Sequence, residues 1–249
     1  MIDSQKAVFI TGASGGIGKC LCKLFSKEDF YVIATDKIQR EGDYNHFIEL
    51  DLINFVSKEP VRKKFRQEIK YLLEDKSLLG LINNAAIQIT DKMEDIKPKD
   101  FQESFDVNVK APLVFTQDLL SYLRQSKGSV VNIGSIHSDL TKKYFMSYAV
   151  SKAALKGLTK SMSIDLGTYG INTNLIQPGA TRTKMLEAGF NKNKEALSKL
   201  ESFHPLGRIG LPEEIAKIAL FLVENRDSFI NGASIQVDGG ISSRLHDPD

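Results

Sequence analysis

Short hydrophobic runs alternate with stretches of helical periodicity from one end of the chain to the other. Each short run ends in polar residues or glycine, which is typical of a strand buried on both faces of a sheet. The pattern predicts seven strands, over residues 7–10, 30–34, 47–50, 79–83, 130–133, 172–176 and 234–237. It predicts helices between them, one after the first strand and others over residues 61–73, 98–123, 147–165 and 213–223.

This alternation predicts the α/β fold class, with one parallel sheet, helices on both faces and right-handed crossovers that make it doubly wound. A length of 249 residues fits a single domain over residues 1–249. One long stretch, residues 179–210, is predicted to be irregular. It follows the carboxyl end of a strand, where open α/β sheets bind ligands, so we expect it to cover the substrate.

Composition and charge narrow the possible partners. The formal net charge is +2, and basic and acidic residues are interspersed without a run that would attract nucleic acid or a membrane. No apolar run is long enough for a transmembrane helix, and the polar start of the chain does not resemble a signal peptide. Cys20 and Cys22 match no zinc or redox spacing, and no side-chain cluster has metal-ligand spacing. We therefore expect a cytoplasmic protein without a metal that acts on a small molecule.

A glycine-rich turn follows the first strand. Residues 11–18 read T-G-x-x-x-G-x-G and lead directly into a helix. Glycines allow the backbone to approach a phosphate closely, and the free N–H groups of the helix attract it. The turn predicts a Rossmann-type dinucleotide site, although a plain strand–turn–helix junction is the alternative. Expected cofactor contacts are Gly12, Ser14, Gly15, Gly16, Ile17 and Gly18.

Asp36 ends the second strand, 18 residues after Gly18. A carboxylate at this place binds the ribose hydroxyls of NAD and repels the 2′-phosphate of NADP, so we expect NAD. Lys37 beside it keeps NADP open as an alternative, because a cation there would receive the phosphate. Polar groups at the next strand ends either reach the adenine or brace the turn, and the further expected cofactor contacts are Asp51, Leu52, Asn84 and Ala85. Asn83 is expected to be structural.

The strongest chemical signal is the pair Tyr148 and Lys152, which lie on one helix face. An ammonium near a phenol is expected to lower the phenol's pKa, so that tyrosine can exchange a proton during hydride transfer. Ser135, thirteen residues before Tyr148, ends a strand and can hydrogen-bond the same substrate oxygen. The three together predict an alcohol or ketone oxidoreductase.

Over nearly its whole length the chain resembles the short-chain dehydrogenase/reductase family. The resemblance rests on Thr11–Gly18, Asp51, Asn83–Ala86, Asn108, Ser135, Tyr148, Lys152, Pro178-Gly179, Arg208–Gly210, Pro212–Ala216 and Val237–Gly240. It implies that Tyr148 is the general acid/base, that Lys152 assists it and binds the nicotinamide ribose, and that Ser135 polarises the substrate oxygen. Ala86 departs from the family's glycine.

The resemblance implies three further properties. Asn108 would hold a water in a proton relay through Lys152. The nicotinamide end of the cofactor would contact Pro178, Gly179 and Thr181. Relatives usually assemble as tetramers, and the sequence permits a homotetramer.

The substrate cannot be read from the sequence. Candidate pocket residues besides Ser135 are His137, Tyr144 and Met185, and a small cyclic alcohol, a polyol or a steroid-like ketone would all fit. The expected function is NAD-dependent interconversion of a secondary alcohol and a ketone. The alternatives are an NADPH-dependent ketone or 3-oxoacyl reductase and a non-catalytic redox sensor, the latter disfavoured because Asn108, Ser135, Tyr148 and Lys152 are all present.

Overall fold

A computed structural model describes residues 4–190 and 193–245. Within these residues seven strands form one parallel sheet in the order β3-β2-β1-β4-β5-β6-β7. The strands are β1 Gln5–Thr11, β2 Tyr31–Asp36, β3 His46–Glu49, β4 Lys76–Asn83, β5 Ser129–Ile133, β6 Asn172–Pro178 and β7 Ser234–Val237. The α-helices are α1 Gly16–Lys27, α2 Leu52–Ser57, α3 Glu59–Leu72, α4 Pro98–Phe105, α5 Ala111–Ser126, α6 Met146–Gly167, α7 Lys184–Gly189, α8 Lys194–Ser202 and α9 Pro212–Glu224. The strand order reverses between β1 and β4, which is the point where doubly wound sheets bind nucleotides.

The sheet is buried on both faces, which explains the continuous hydrophobic runs. Successive residues of β1 point to opposite sides: Ala7 and Phe9 enter one core, Val8 and Ile10 the other. Helices α3, α5 and α6 cover the first core, and α1 and α9 cover the second. The predicted α/β architecture with helices on both faces is confirmed.

The predicted single helix over residues 98–123 is wrong in its middle. Helix α4 ends at Phe105, a π-helical turn spans Asp106–Lys110, and α5 begins at Ala111. The N–H of Ala111 donates to the carbonyl of Asp106, five residues earlier. Pro112 has no N–H, so it cannot donate to the Asn108 carbonyl four residues before it. The proline thus explains part of the widened turn.

The prediction that residues 179–210 are irregular is also wrong in part, because the segment contains α7 and α8. The side chain of Asn193 caps α8 by accepting the N–H of Ala196 at 3.0 Å. The two ends of the segment are tied together, since Arg182 N–H donates to Gly210 and Gly210 N–H to Ala180. Helix α2, immediately after Asp51, was not predicted from the sequence. In the described part of the chain, no helix is long and apolar enough to cross a membrane.

Candidate active site

The turn after β1 requires glycine at two positions. Gly12 has a φ of +67°, and a Cβ there would lie 2.7 Å from the Cα of Ala85. A Cβ on Gly18 would lie 2.1 Å from the carbonyl oxygen of Gly12. Any side chain at either place would therefore force the first turn away from β4 or open the start of α1.

The N-terminus of α1 is left without a side-chain cap. Its N-cap residue, Gly15, offers no side chain to the N–H groups of Gly16, Ile17 and Gly18 in the first turn. These donors and the positive end of the helix dipole suit an anionic group, and Gly15 and Gly16 are exposed to receive one. Residues 15–18 thus form a cradle that fits the pyrophosphate of a dinucleotide.

Asp36 at the end of β2 faces this turn. Its carboxylate accepts the N–H of Ser14 at 2.9 Å and that of Lys37 at 2.7 Å. The Lys37 ammonium instead pairs with Asp51, 2.9 Å away. Burial opposes ionisation of Asp51, but hydrogen bonds from Lys37 and Asn54 outweigh it and lower its pKa. The structure thus places the Asp36 carboxylate at the glycine-rich turn and the Asp51 carboxylate beside Lys37.

Asn84 and Thr11 fasten the end of β4 to the turn. The Thr11 hydroxyl accepts the N–H groups of Asn84 and Ala85, each at 3.0 Å. The Asn84 amide donates to the carbonyls of Thr11 and Gly12 at 2.9 and 3.1 Å. Asn83, in contrast, is buried and donates to the side chain of Asn132 at 2.8 Å. Asn84 therefore shapes the edge of the cradle, and the packing of Asn83 agrees with a structural role.

Ser135, Tyr148 and Lys152 converge beside the carboxyl end of β5. Ser135 follows that strand, is 7% exposed and accepts the N–H of His137 at 3.1 Å. Lys152 is 2% exposed and donates to the carbonyl of Ile133 at 2.7 Å. Its ammonium lies 5.7 Å from the centre of the Tyr148 ring. The i and i+4 spacing on α6 thus brings the predicted pair together.

The electrostatics of this pair differ from the expectation. Burial raises the pKa of Tyr148 to about 12, and a hydrogen bond with Ser135 opposes the rise only in part. Burial also lowers the pKa of Lys152 to about 7. The predicted lowering of the Tyr148 pKa by Lys152 is therefore wrong in this structure, because removal from water penalises the charged forms of both groups.

Asn108 lies on the π-helical turn and joins two parts of the site. Its side-chain oxygen accepts the N–H of Ile87, and its amide donates to the Ile87 carbonyl and the Ser151 hydroxyl, all at 2.9 Å. Ser151 in turn donates to the carbonyl of Tyr148 at 2.7 Å. Both amide hydrogens of Asn108 are thus used, and its backbone carbonyl cannot accept from Pro112, which has no N–H. Sequence reasoning gave no role to Ser151, although it lies between Tyr148 and Lys152.

Aromatic side chains form one wall beside Tyr148. His137 stacks on Phe145 with ring centres 4.7 Å apart and meets the Tyr148 ring edge-on at 5.9 Å. Burial, followed by the nearby Lys142 charge, lowers the pKa of His137 to about 4. Tyr144 has a left-handed φ of +73° and is 53% exposed. The structure therefore places His137 against the acid/base candidate, and Tyr144 at the surface next to Phe145.

The segment after β6 supplies the remaining predicted residues. Pro178 ends the strand, and a Cβ on Gly179 would lie 2.9 Å from the Cα of Asp238. Thr181 is buried and donates to the Gly179 carbonyl at 3.2 Å. Met185 belongs to α7, but its side chain lies outside the described part of the structure.

Gln177 is a supporting residue that the sequence did not reveal. Its amide donates to the Ser138 hydroxyl and to the Asp139 carboxylate, each at 2.7 Å. Asp139 is also paired with Lys156 of α6 at 2.6 Å. This network fixes the loop that follows Ser135. Among the described residues, no group of three His, Cys, Asp or Glu side chains is arranged to hold a metal ion.

Comparison with known proteins places this site in a family. A sequence profile described as enoyl-(acyl carrier protein) reductase matches residues 12–242. A 3-oxoacyl-[acyl-carrier-protein] reductase FabG of Rickettsia conorii is 32% identical and covers 97% of this chain and 99% of its own length. The chain belongs to the family of that profile and is a short-chain dehydrogenase/reductase, an oxidoreductase enzyme that binds NAD or NADP.

Solved structures agree with this assignment. The ligand-free aldohexose dehydrogenase of Thermoplasma acidophilum superposes with a TM-score of 0.90 at 29% identity, covering 99% of this chain and 97% of its own. A 4-hydroxyisoleucine dehydrogenase complexed with NADH superposes with a TM-score of 0.81 at 30% identity. The match covers 96% of this chain and 100% of the dehydrogenase chain. The names of these relatives differ in substrate, so the family fixes the reaction class and leaves the substrate open.

Proposed function

We propose that this enzyme interconverts a secondary alcohol and a ketone with NAD, using Tyr148 as the general acid/base. The observation that carries the proposal is the convergence of Ser135, Tyr148 and Lys152 at the carboxyl end of β5, on the same edge of the sheet as the uncapped start of α1. The bound nicotinamide would supply the hydride acceptor or donor. The protein's part is to hold the substrate oxygen and to move its proton.

Ser135 is arranged to donate to the substrate oxygen. Its oxygen already accepts the His137 N–H, which leaves the hydroxyl proton free for Tyr148 or a substrate. With a pKa near 12, Tyr148 holds its proton at neutral pH, which is the form that ketone reduction requires. Alcohol oxidation requires the phenolate, and a charged Lys152 would favour it.

The proton needs an exit from a buried site. The pKa of Lys152, near 7, lets its amine gain and lose a proton at neutral pH. We propose that a water held by the Asn108 backbone carbonyl continues the relay. The side chain of Asn108 positions this carbonyl and α6 through Ser151.

The charges near the end of β2 favour NAD over NADP as the cofactor. Asp36 and Asp51 place two carboxylates near the end of β2, and the Lys37 ammonium is paired with one of them. A 2′-phosphate there would meet net negative charge. We further propose that the adenine end of NAD contacts Leu52 and Asn84 to Ala85, and that Pro178, Gly179 and Thr181 contact its nicotinamide end.

An NADPH-dependent ketone or 3-oxoacyl reductase is the second candidate. The similarity to the Rickettsia reductase favours it, and so does the exposure of Lys37, whose side chain is 71% accessible. An exposed ion pair contributes little, so Lys37 can leave Asp51 at small cost. The assembly we propose is a cytoplasmic homotetramer of single-domain subunits, which light scattering of the purified protein would test.

The cofactor proposal is tested by titrating the protein with NADH and with NADPH while following nicotinamide fluorescence. We expect tighter binding of NADH. Tighter binding of NADPH would support the reductase candidate, and binding of neither would contradict the assignment of the glycine-rich turn as the cofactor site.

A further inference from the structure

Lys142 is a cation at the active-site wall without a carboxylate partner. Its ammonium lies 4.4 Å from the centre of the Phe145 ring. In the described residues it takes part in no salt bridge, whereas Lys156 and Arg182 elsewhere in the chain are paired with Asp139 and Glu201. The charge of Lys142 is therefore not neutralised by the protein.

Lys142 is exposed to solvent, but protein replaces part of the water around its ammonium. Partial burial lowers the pKa of its ammonium. The face of the Phe145 ring compensates for lost hydration only weakly. An anion at this place would gain more from the ammonium than one on the open surface, because the surroundings are less polar than water.

The same ring that contacts Lys142 belongs to the wall beside Tyr148. The centre of Phe145 lies 6.2 Å from that of Tyr148, so the ammonium is no more than about 11 Å from the Tyr148 ring. His137 stacks on the same ring. The separation is short enough for one small molecule to contact Lys142 and Tyr148 together.

We propose that the substrate carries a carboxylate that binds Lys142, so that the reaction interconverts a hydroxy acid and an oxo acid. This inference rests on the proposed function and specifies its substrate class. In oxidation the carbinol carbon gives a hydride to NAD⁺, which becomes NADH, and the hydroxyl proton passes to Tyr148. The carboxylate itself is unchanged and serves only to position the substrate. A neutral cyclic alcohol or polyol would leave Lys142 unpaired.

A binding experiment tests the carboxylate site without turnover. The enzyme–NADH complex is titrated calorimetrically with butyrate and with its neutral isostere butyramide. We expect butyrate to bind on the order of tenfold more tightly, because a hydrogen bond to a charged group adds about that much. Lys142→Met should remove the preference, whereas Lys143→Met, which changes the adjacent lysine that is exposed like Lys142, should keep it. Equal binding of the two ligands by the wild type would overturn the inference, as would a preference that survives Lys142→Met.

Turnover measurements distinguish a failure of this inference from a failure of the proposed function. Hydroxy acids of four to six carbons are compared with their methyl esters and with neutral secondary alcohols. We expect Lys142→Met to raise KM for the acids about tenfold with little change in kcat, and to leave KM for the esters unchanged. If neutral alcohols turn over as well as the acids and Lys142→Met changes neither, the carboxylate site is refuted and the proposed function stands. If butyrate binds selectively but no alcohol reacts with NAD, the proposed function fails and the carboxylate site stands.

Discussion

The ammonium of Lys152 lies 5.7 Å from the centre of the Tyr148 ring and donates to the carbonyl of Ile133. Lys152 is almost fully buried, and its positive charge is balanced by a carbonyl dipole instead of a carboxylate. Such burial is costly for the fold. The buried Lys152 therefore lowers the stability of the fold, but it places an amine that can exchange a proton beside the Tyr148 phenol.

Replacing Lys152 should stabilise the protein while it abolishes activity. Burial lowers the pKa of Lys152 from 10.5 to about 7, so between these values the unfolded chain holds a proton that the folded chain lacks. The free energy of unfolding therefore increases as the pH rises through that window, because folding no longer buries a charged amine. Below pH 7 Lys152 is charged in both states, and the full cost of burying the charge remains. We expect Lys152→Met to raise Tm by more at pH 6 than at pH 10.

The control for this comparison is Lys160→Met on the exposed side of α6, where the change in Tm should not depend on pH in this way. A Lys152→Met protein that is less stable than the wild type at pH 6 would show that the bond to Ile133 outweighs the buried charge.

Removing the charge of Asp36 should relax the choice of cofactor. Both Asp36→Ala and Asp36→Asn eliminate the carboxylate that accepts the N–H of Ser14. We expect the ratio of the NADPH and NADH dissociation constants to fall on the order of tenfold, or about 1.4 kcal/mol. Fluorescence titration measures this ratio, with Lys37→Met as the companion variant. An unchanged ratio in both Asp36 variants would mean that another group discriminates between the cofactors.

Replacement by alanine should lower the free energy of unfolding at Gly18 and raise it at Gly157. A methyl group on Gly18 would overlap the Gly12 carbonyl, and we expect a loss of about 1–3 kcal/mol in unfolding free energy together with weaker NADH binding. A methyl group on Gly157 meets nothing within 4 Å in the helix α6, and we expect a gain of about 0.5–1 kcal/mol. Chemical denaturation measures both. A Gly18→Ala protein of normal stability and affinity would contradict the described turn.

Chelation should not affect the reaction. The described residues contain no cluster arranged for a metal, and the proposed chemistry assigns proton transfer to Tyr148. We expect the same kcat before and after treatment with a chelator followed by gel filtration. Loss of activity that returns when a divalent metal is added would require a metal-dependent step.

The sheet was predictable from the sequence because burial on both faces leaves continuous apolar runs. The bounds of β5 and β7 agree with prediction within one residue. Helices α7 and α8 were missed because they are short, at 6 and 9 residues, so an apolar pattern repeats over few turns. The π-helical turn was missed because its cause, Pro112, is otherwise an ordinary residue for the first turn of a helix.

The candidate site was predictable where local spacing carries the chemistry. The glycines of the first turn and the i, i+4 pair on α6 are such cases. The contacts of Gln177, and that of Ser151 with Asn108, join residues distant in sequence, and no short pattern encodes them. The pKa of Tyr148 was predicted in the wrong direction because spacing reveals a neighbouring charge but not the loss of water around it.

The most direct test of the account compares wild type with Tyr148→Phe in NAD-coupled oxidation of a secondary alcohol. Tyr122→Phe, which changes a partly buried tyrosine of α5, serves as the matched control. We expect Tyr148→Phe to lower kcat by about 10²–10⁴-fold with NADH affinity nearly unchanged, and Tyr122→Phe to retain activity. Turnover by Tyr148→Phe within a few-fold of the wild type would contradict the central claim that Tyr148 is the general acid/base.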